Sequence, residues 1–339
     1  MKQVNVQDAV GTVLAHDLTQ IIPGEYKGPK FRKGHEITED DIPVLLSMGK
    51  KHLFVLEKDD TDVHENEAAY RIASKAAGEN ISLSEPSEGK IELRAEVDGL
   101  LRIDRERLYK LVAQDEIMFA TIHDNVVVRK GQKLAGTRII PLFVAEAVMQ
   151  KAEEILADGP LVSIAPLKNM KVGIVTTGSE VYSGLIEDAF GPVLVKKFGA
   201  LGSTVVKQLF ADDDEDMIAD CIRQLVDEGM DIIGITGGMS VDPDDRTPSG
   251  IRKAGGEVIS YGAPVLPGAM FMLSYIGDVP VVGLPGCVMY SRTSIFDLIV
   301  PRLLAGERVS KADINRLAVG GLCLNCETCT YPVCGFGKC

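Results

Sequence analysis

The chain has 339 residues, 45% hydrophobic and 25% charged, which is enough for two or three domains that each bury a core. Acids outnumber bases 49 to 36, and the formal net charge of -13 argues against nucleic acid as the main partner. No apolar run reaches the roughly 18 residues that span a bilayer, and the opening MKQVNVQDAV lacks the basic and apolar regions of a secretion signal, so a cytoplasmic location without a membrane partner is expected.

Residues 1–60 read as an α+β segment in which ITEDDIPVLLSMG predicts a short helix ending at Gly49 and HLFVLE predicts a strand. Helical spacing of Ala68, Tyr70, Ile72 and Ala73 puts a helix into 61–87, and the polar SLSEPSEGK around Pro86 reads as a linker. Over 88–160, short alternating runs broken at Asp98-Gly99, Asn125 and Gly131 predict a β-rich domain. A small barrel or sandwich is expected, with one helix from Arg105 to Val112 and a closing helix that ends at Gly159.

The pattern changes at about 168 and holds to 308. KVGIVTTG, STVVKQL and DIIGITGG are short apolar strands. Between the last two, Met217, Ile218, Cys221, Ile222, Leu225 and Val226 lie on one face of an amphipathic helix, with Asp212 or Asp213 as N-cap and Gly229 as C-cap. Buried strands with helical crossovers give an α/β domain whose mainly parallel sheet lies between two helical layers. Residues 309–339 form a cysteine-rich tail, and no apolar periodicity runs past Leu317, which sets the tail outside the core.

In an open α/β sheet, ligands sit beyond the carboxyl ends of the strands. Those ends carry TTGSE, FADDD and TGGMSVDPDD. Thr176, Thr177, Gly178, Gly237, Gly238 and Ser240 let backbone N–H groups and hydroxyls approach an anion closely. Glu180, Asp213 and Asp245 bring like charges to the same edge, an arrangement that a hard cation relieves. Mg2+ beside a phosphate suits this set, since it takes oxygen ligands and bridges carboxylates to substrate phosphates. The bland alternative is that the glycines are ordinary turns and the acids a helix cap and a solvated run. All five histidines, His16, His35, His52, His64 and His123, precede this segment, which excludes a Ser-His triad within it. Neither a nucleophile elbow, a P-loop nor a dinucleotide fingerprint occurs.

TTGSE, FADDDEDM, TGGMSVDPDDRTPSG, PVLPGAMFM and VVGLPGCVMYSR follow one another in the order found in the molybdopterin-binding domains of molybdenum-cofactor biosynthesis, of the MoeA/MogA type. The resemblance covers Lys171 to Glu307, and VQDAVGTVLAHDL resembles the opening of molybdotransferases more loosely. Asp245 is in register with the family's metal-associated aspartate. Thr247-Pro248 matches the adenylyltransferase branch, whereas Leu284-Pro285-Gly286 is similar to the molybdotransferase branch. What the resemblance implies is a homodimer that binds molybdopterin or adenylyl-molybdopterin and assists molybdate insertion with Mg2+. Glu180, Asp213 and Asp245 would be the catalytic and metal groups, and Thr176, Thr177, Gly178, Gly237, Gly238, Ser240, Pro285 and Gly286 the contacts to the pterin ligand.

There are departures. The family's cleft-lining Asp-Gly-Tyr-Ala element is absent, its Pro-Gly-Lys-Pro is Pro267-Gly268-Ala269-Met270, and its Leu-Pro-Gly-Asn-Pro continues here as Cys287-Val288. Asp242 stands where a glycine is expected. The first two changes favour a second reading, a non-catalytic molybdenum-cofactor carrier or sensor that serves a molybdoenzyme. A Mg2+-dependent nucleotide hydrolase using the same acids is a third. Cys287 reads as a small buried side chain, with contact to molybdenum or a dithiolene as its functional alternative.

In the tail, Cys323, Cys326, Cys329, Cys334 and Cys339 are spaced C-x2-C-x2-C-x4-C-x4-C. With no histidine nearby, four of the five are expected to hold Zn2+ or an iron-sulfur cluster. The alternative is an exposed run of thiols that scavenges metal.

Overall fold

Six strands form the central sheet: Lys171–Thr177 (β1), Thr204–Ala211 (β2), Ile232–Thr236 (β3), Glu257–Tyr261 (β4), Met272–Ile276 (β5) and Val279–Leu284 (β6). β3 is buried at every position and β1 at every position after Lys171, because strands covered on both faces need no polar alternation. In the computed structural model, which describes residues 2–56 and 62–338, the strand order is β2-β1-β3-β6-β5-β4. The first four run parallel, and β5 and β4 close the other edge antiparallel. The expected mainly parallel α/β sheet is therefore present.

Neighbouring residues of each strand enter opposite layers. Ile174, Ile232 and Val282 pack with helices Phe190–Ala200 and Ile295–Leu304, while Val175, Ile233 and Val281 pack with helices Glu215–Asp227 and Thr247–Lys253. Those two clusters are the halves of a three-layer core. Helix Glu215–Asp227 presents Ile218, Ile222 and Leu225 to the sheet, as its spacing predicts. Its N-cap is Asp214, one or two residues later than expected: the Asp214 carboxylate accepts from the Met217 N–H at 2.9 Å. Gly229, at φ 74, follows the helix in the left-handed conformation that ends it.

The chain divides into two units. One comprises Met1–Glu96, Asp104–Ile122 and Gly131–Ser163, and the other Val97–Ile103, His123–Lys130 and Ile164–Cys339. The first unit holds an antiparallel sheet ordered Ile81–Leu83, Ile91–Ala95, Lys133–Ile139, Ile117–Thr121. Helix Glu65–Ala76 buries Ala68, Ala69, Ile72, Ala73 and Ala76. A smaller cluster nearer the start gathers Val6, Leu14, Leu18, Ile37, Leu45 and Leu53.

Two sequence expectations change here. The polar stretch around Pro86 is no linker: Ile81–Leu83 pairs with Ile91–Ala95, and Ser87 and Lys90 exchange backbone hydrogen bonds at 3.0 Å across a hairpin. Polarity reports a solvent-facing turn as readily as a domain boundary. The tail also departs from expectation, because Phe336 is only 4% exposed and packs, with Tyr331, Cys323 and Cys334, against the α/β core. The expected boundary between 60 and 61 lies outside the described residues, as does Cys339.

Candidate functional site

From β1 the chain moves outward to β2 and then returns past β1 to β3, so the strand order reverses between β1 and β3. A crevice opens beyond the carboxyl ends at such a point. Register brings the ends level: Thr176 is opposite both Phe210 and Thr236, and Thr236 is opposite Leu284. Gly178, Asp212-Asp213, Gly237-Gly238 and Pro285-Gly286, each just beyond one of these positions, thus share one edge of the sheet.

Threonine hydroxyls lace that edge together. Thr177 Oγ1 donates to the Thr236 carbonyl at 3.2 Å and lies 3.1 Å from Thr247 Oγ1, which donates to the Gly237 carbonyl at 2.9 Å. Thr247 was not among the sequence-derived site residues, yet it is fully buried and sets the Gly237-Gly238 turn. Its appearance in the Thr247-Pro248 motif was the available signal. Thr176 is also buried, and its hydroxyl accepts from Gln208 Nε2 at 2.9 Å. Gln208 donates as well to Asp188, whose carboxylate caps the Phe190–Ala200 helix through the N–H groups of Phe190 and Gly191. Tyr261, likewise missed, donates its hydroxyl to the carbonyls of Met239 and Ser240 at 3.2 Å.

Three of the four glycines of the edge, Gly178, Gly237 and Gly238, differ physically. Gly237 (φ 88) has no room for a side chain, since a Cβ would lie 2.2 Å from the Thr177 carbonyl oxygen. Gly238 (φ 52) would bring one 2.8 Å from Thr247 Oγ1. At Gly178 (φ 129) a Cβ meets nothing within 4 Å, which is open space beside the backbone.

The acids occupy the rim. Asp213 accepts from the Ser179 N–H at 2.9 Å and so ties the end of β2 to the turn that carries the exposed Glu180. Asp245 lies in the β3 loop and accepts from the Asp242 N–H at 2.9 Å, while its own N–H donates to the Asp242 carbonyl. Asp242, the departure from the family pattern, therefore supplies backbone bonds that shape the loop. Among the described residues no three His, Cys, Asp or Glu side chains are placed to hold a metal ion.

Pro285 is buried and Gly286 exposed at the end of β6. Cys287 follows, half-buried, and burial pushes its thiol up, outweighing the nearby Lys197. Cys323, Cys326, Cys329 and Cys334 lie elsewhere in the unit, around a cavity of about 500 Å³. Among the described residues no helix is long and apolar enough to cross a membrane.

Residues 173–305 match the family described as a probable molybdopterin binding domain, and residues 3–57 match a domain of unknown function (DUF8806). A CinA-like protein of Mycobacterium avium is 32% identical over 95 residues, 28% of this chain and 22% of the relative. A molybdopterin adenylyltransferase of Pyrococcus furiosus is 25% identical over 95 residues, 28% of this chain and 56% of the enzyme. The chain thus spans less than two thirds of either relative. A crystal structure of a molybdopterin biosynthesis MoeA protein of Pyrococcus horikosii aligns over 90% of this chain and 74% of its own, at 17% identity and a TM-score of 0.33.

Proposed function

We propose that this chain, whose residues 173–305 form a domain of the probable molybdopterin-binding family, binds adenylylated molybdopterin outside β1 and β3. There it acts as a molybdotransferase, placing molybdate on the dithiolene with release of AMP. The observation that carries this reading is the strand-order reversal that puts open Gly178 beside the laced Gly237-Gly238 turn. The Gly178 and Ser179 N–H groups there are already donated to the Ala211 carbonyl and the Asp213 carboxylate, so a phosphate would be met from the Gly237-Gly238 turn and would use the open space beside Gly178.

The acidic rim supplies the second element. Mg2+ is bound by one or two carboxylates together with substrate phosphates, so it needs no three-carboxylate cage. Glu180, Asp213 and Asp245 are the groups that would hold it. Bound there, the cation would offset charge that develops on the leaving phosphate. The protein's own part is to hold carboxylates in place, which the Ser179 N–H does for Asp213 and the Asp242 N–H for Asp245.

A non-catalytic carrier is the second reading, favoured by Ala269 and Met270 where the family has Lys-Pro. The two are separated by loading the protein with adenylylated molybdopterin and following AMP after molybdate and Mg2+ are added. The transferase reading expects AMP release, retained ligand in Asp245→Asn, and release slowed by roughly a hundredfold in that variant. Binding without release by the unsubstituted protein leaves the carrier, and failure to bind the ligand rejects both. Native mass spectrometry of the loaded protein also tests the homodimer.

A further inference from the structure

The cysteine segment is built into the fold at both of its ends. At the start, Leu266 N–H donates to the Gly321 carbonyl and Cys323 N–H to the Leu266 carbonyl, each at 2.8 Å. At the end, the Tyr331 hydroxyl donates to the Asp297 carbonyl at 2.9 Å, and Phe336 is buried beside it with ring centroids 6.1 Å apart. Gly337 (φ 74) has no space for a side chain, since a Cβ would lie 2.2 Å from Leu298. A run of thiols meant only for solvent needs none of these anchors.

Between the anchors, all four described tail cysteines line the same cavity of about 500 Å³, and none is in a disulfide. Cys323, Cys329 and Cys334 are half-buried and Cys326 is exposed. A structural zinc draws four thiolates to about 2.3 Å from a single point. No such convergence exists among the described residues. A cavity of about 500 Å³ lined by all four thiols has room for a polynuclear group, which offers each thiolate a separate metal.

Spacing agrees with that choice. Cys323, Cys326 and Cys329 repeat the C-x2-C-x2-C run that supplies three ligands to one cluster in bacterial iron-sulfur proteins, and the fourth, Cys334, is chosen by its place on the same cavity wall and not by its spacing. Arg292 and Glu327 both line the cavity, and the Arg292 guanidinium donates to the Glu327 carbonyl at 3.1 Å, which places one cation within the wall beside one acid.

We propose that Cys323, Cys326, Cys329 and Cys334 ligate a [4Fe–4S] cluster in this cavity. Tyr290 and Arg292, from the segment after the Pro285-Gly286 turn, form another part of the wall, which puts the cluster one short segment away from a strand end of the pterin crevice. The assignment does not rest on the pterin reading.

The test uses the full chain, anaerobic and reduced, incubated with a synthetic [4Fe–4S] thiolate complex. Four cysteine thiols replace four small thiolates, and each cysteine proton passes to a departing thiolate, so no oxidant or reductant is needed. After desalting, about four iron and four acid-labile sulfide per chain are expected, with visible absorption that dithionite bleaches. Cys326→Ala, at an exposed position, should lose most of the iron while keeping the far-ultraviolet circular dichroism of the parent. Cys221→Ala, on helix Glu215–Asp227, should keep it all. A protein that retains no iron overturns the proposal. So does one that takes up a single zinc in preference to the cluster, or a Cys326→Ala/Cys329→Ala variant that holds iron as well as the parent.

Discussion

The hydroxyls of Thr177 and Thr247, 70 positions apart in sequence, lie 3.1 Å from each other in a buried contact. With one proton on each hydroxyl, Thr177 donates to the Thr236 carbonyl and Thr247 to the Gly237 carbonyl, which leaves the two oxygens in close contact. The end of β1 and the start of helix Thr247–Lys253 are thereby fastened over the Gly237-Gly238 turn. Thr247→Val keeps the shape and removes the hydroxyl, leaving buried acceptors short of a donor. A loss of about 1–3 kcal/mol in urea denaturation is expected, with weaker binding of adenylylated molybdopterin by calorimetry. Unchanged stability would mean that the turn is held by other contacts.

Alanine at Gly178, Gly237 and Gly238 should give a graded series. At Gly237 the new Cβ meets a backbone carbonyl, at Gly238 the Thr247 hydroxyl, and at Gly178 open space. Gly237→Ala is expected to be the most destabilising, beyond about 3 kcal/mol, whereas Gly178→Ala should cost only the strain of its backbone conformation, about 1–3 kcal/mol. The ligand effect should run the other way for Gly178→Ala, whose methyl occupies the open side. Thermal and denaturant melts together with calorimetry on all three proteins check the order.

His64 makes the stability of the first unit pH-dependent. Its Nε2–H donates to the Ala15 carbonyl at 2.7 Å, and its Nδ1 accepts from the Asn66 N–H at 3.1 Å. Burial, with Lys33 nearby, lowers its pKa from 6.5 to about 4. The neutral ring is therefore the folded form. Its contribution is complete above pH 6.5 and is lost as the pH falls towards 4, with a slope of at most about 1.4 kcal/mol per pH unit. His64→Gln should flatten this part of the stability profile, measured by denaturant unfolding between pH 4 and 7.

Phe336 should matter to the α/β unit as a core residue does. It is 4% exposed and packs in the cluster that contains Leu298, Phe296 and Val265. Phe336→Ala is expected to destabilise the unit by about 3–5 kcal/mol. Ending the chain after Gly320 should lower its melting temperature further. A truncated protein as stable as the parent would show that the tail only rests on the surface.

Much of the α/β unit was legible because its signals are local. Val172 to Val175 and Ile232 to Ile235 are apolar on successive residues, and the helix between β2 and β3 repeats its buried residues every third or fourth position. Each pattern reports one element's burial without knowledge of its neighbours. The Asp214 cap was misplaced by one or two positions because adjacent aspartates are equivalent in sequence, and only backbone geometry selects among them.

Other features depend on which elements become neighbours. Glu180, Asp213 and Asp245 could be assigned to strand ends, but the bonds that hold Asp213 to Ser179 and Asp245 to Asp242 arise from loop geometry. Thr247 gained its place only when the strand order set β1 beside β3. Tyr331 and Phe336 carry no periodicity, so nothing near them in sequence announces that they are buried. The sequence by itself determined the parallel sheet, its helical layers and the chemistry available at the strand ends, since those follow from side-chain type and short-range spacing. Only the tertiary structure decided that two distant threonines fasten the turn and that the cysteine segment is anchored around a cavity, because such contacts are set by long-range packing.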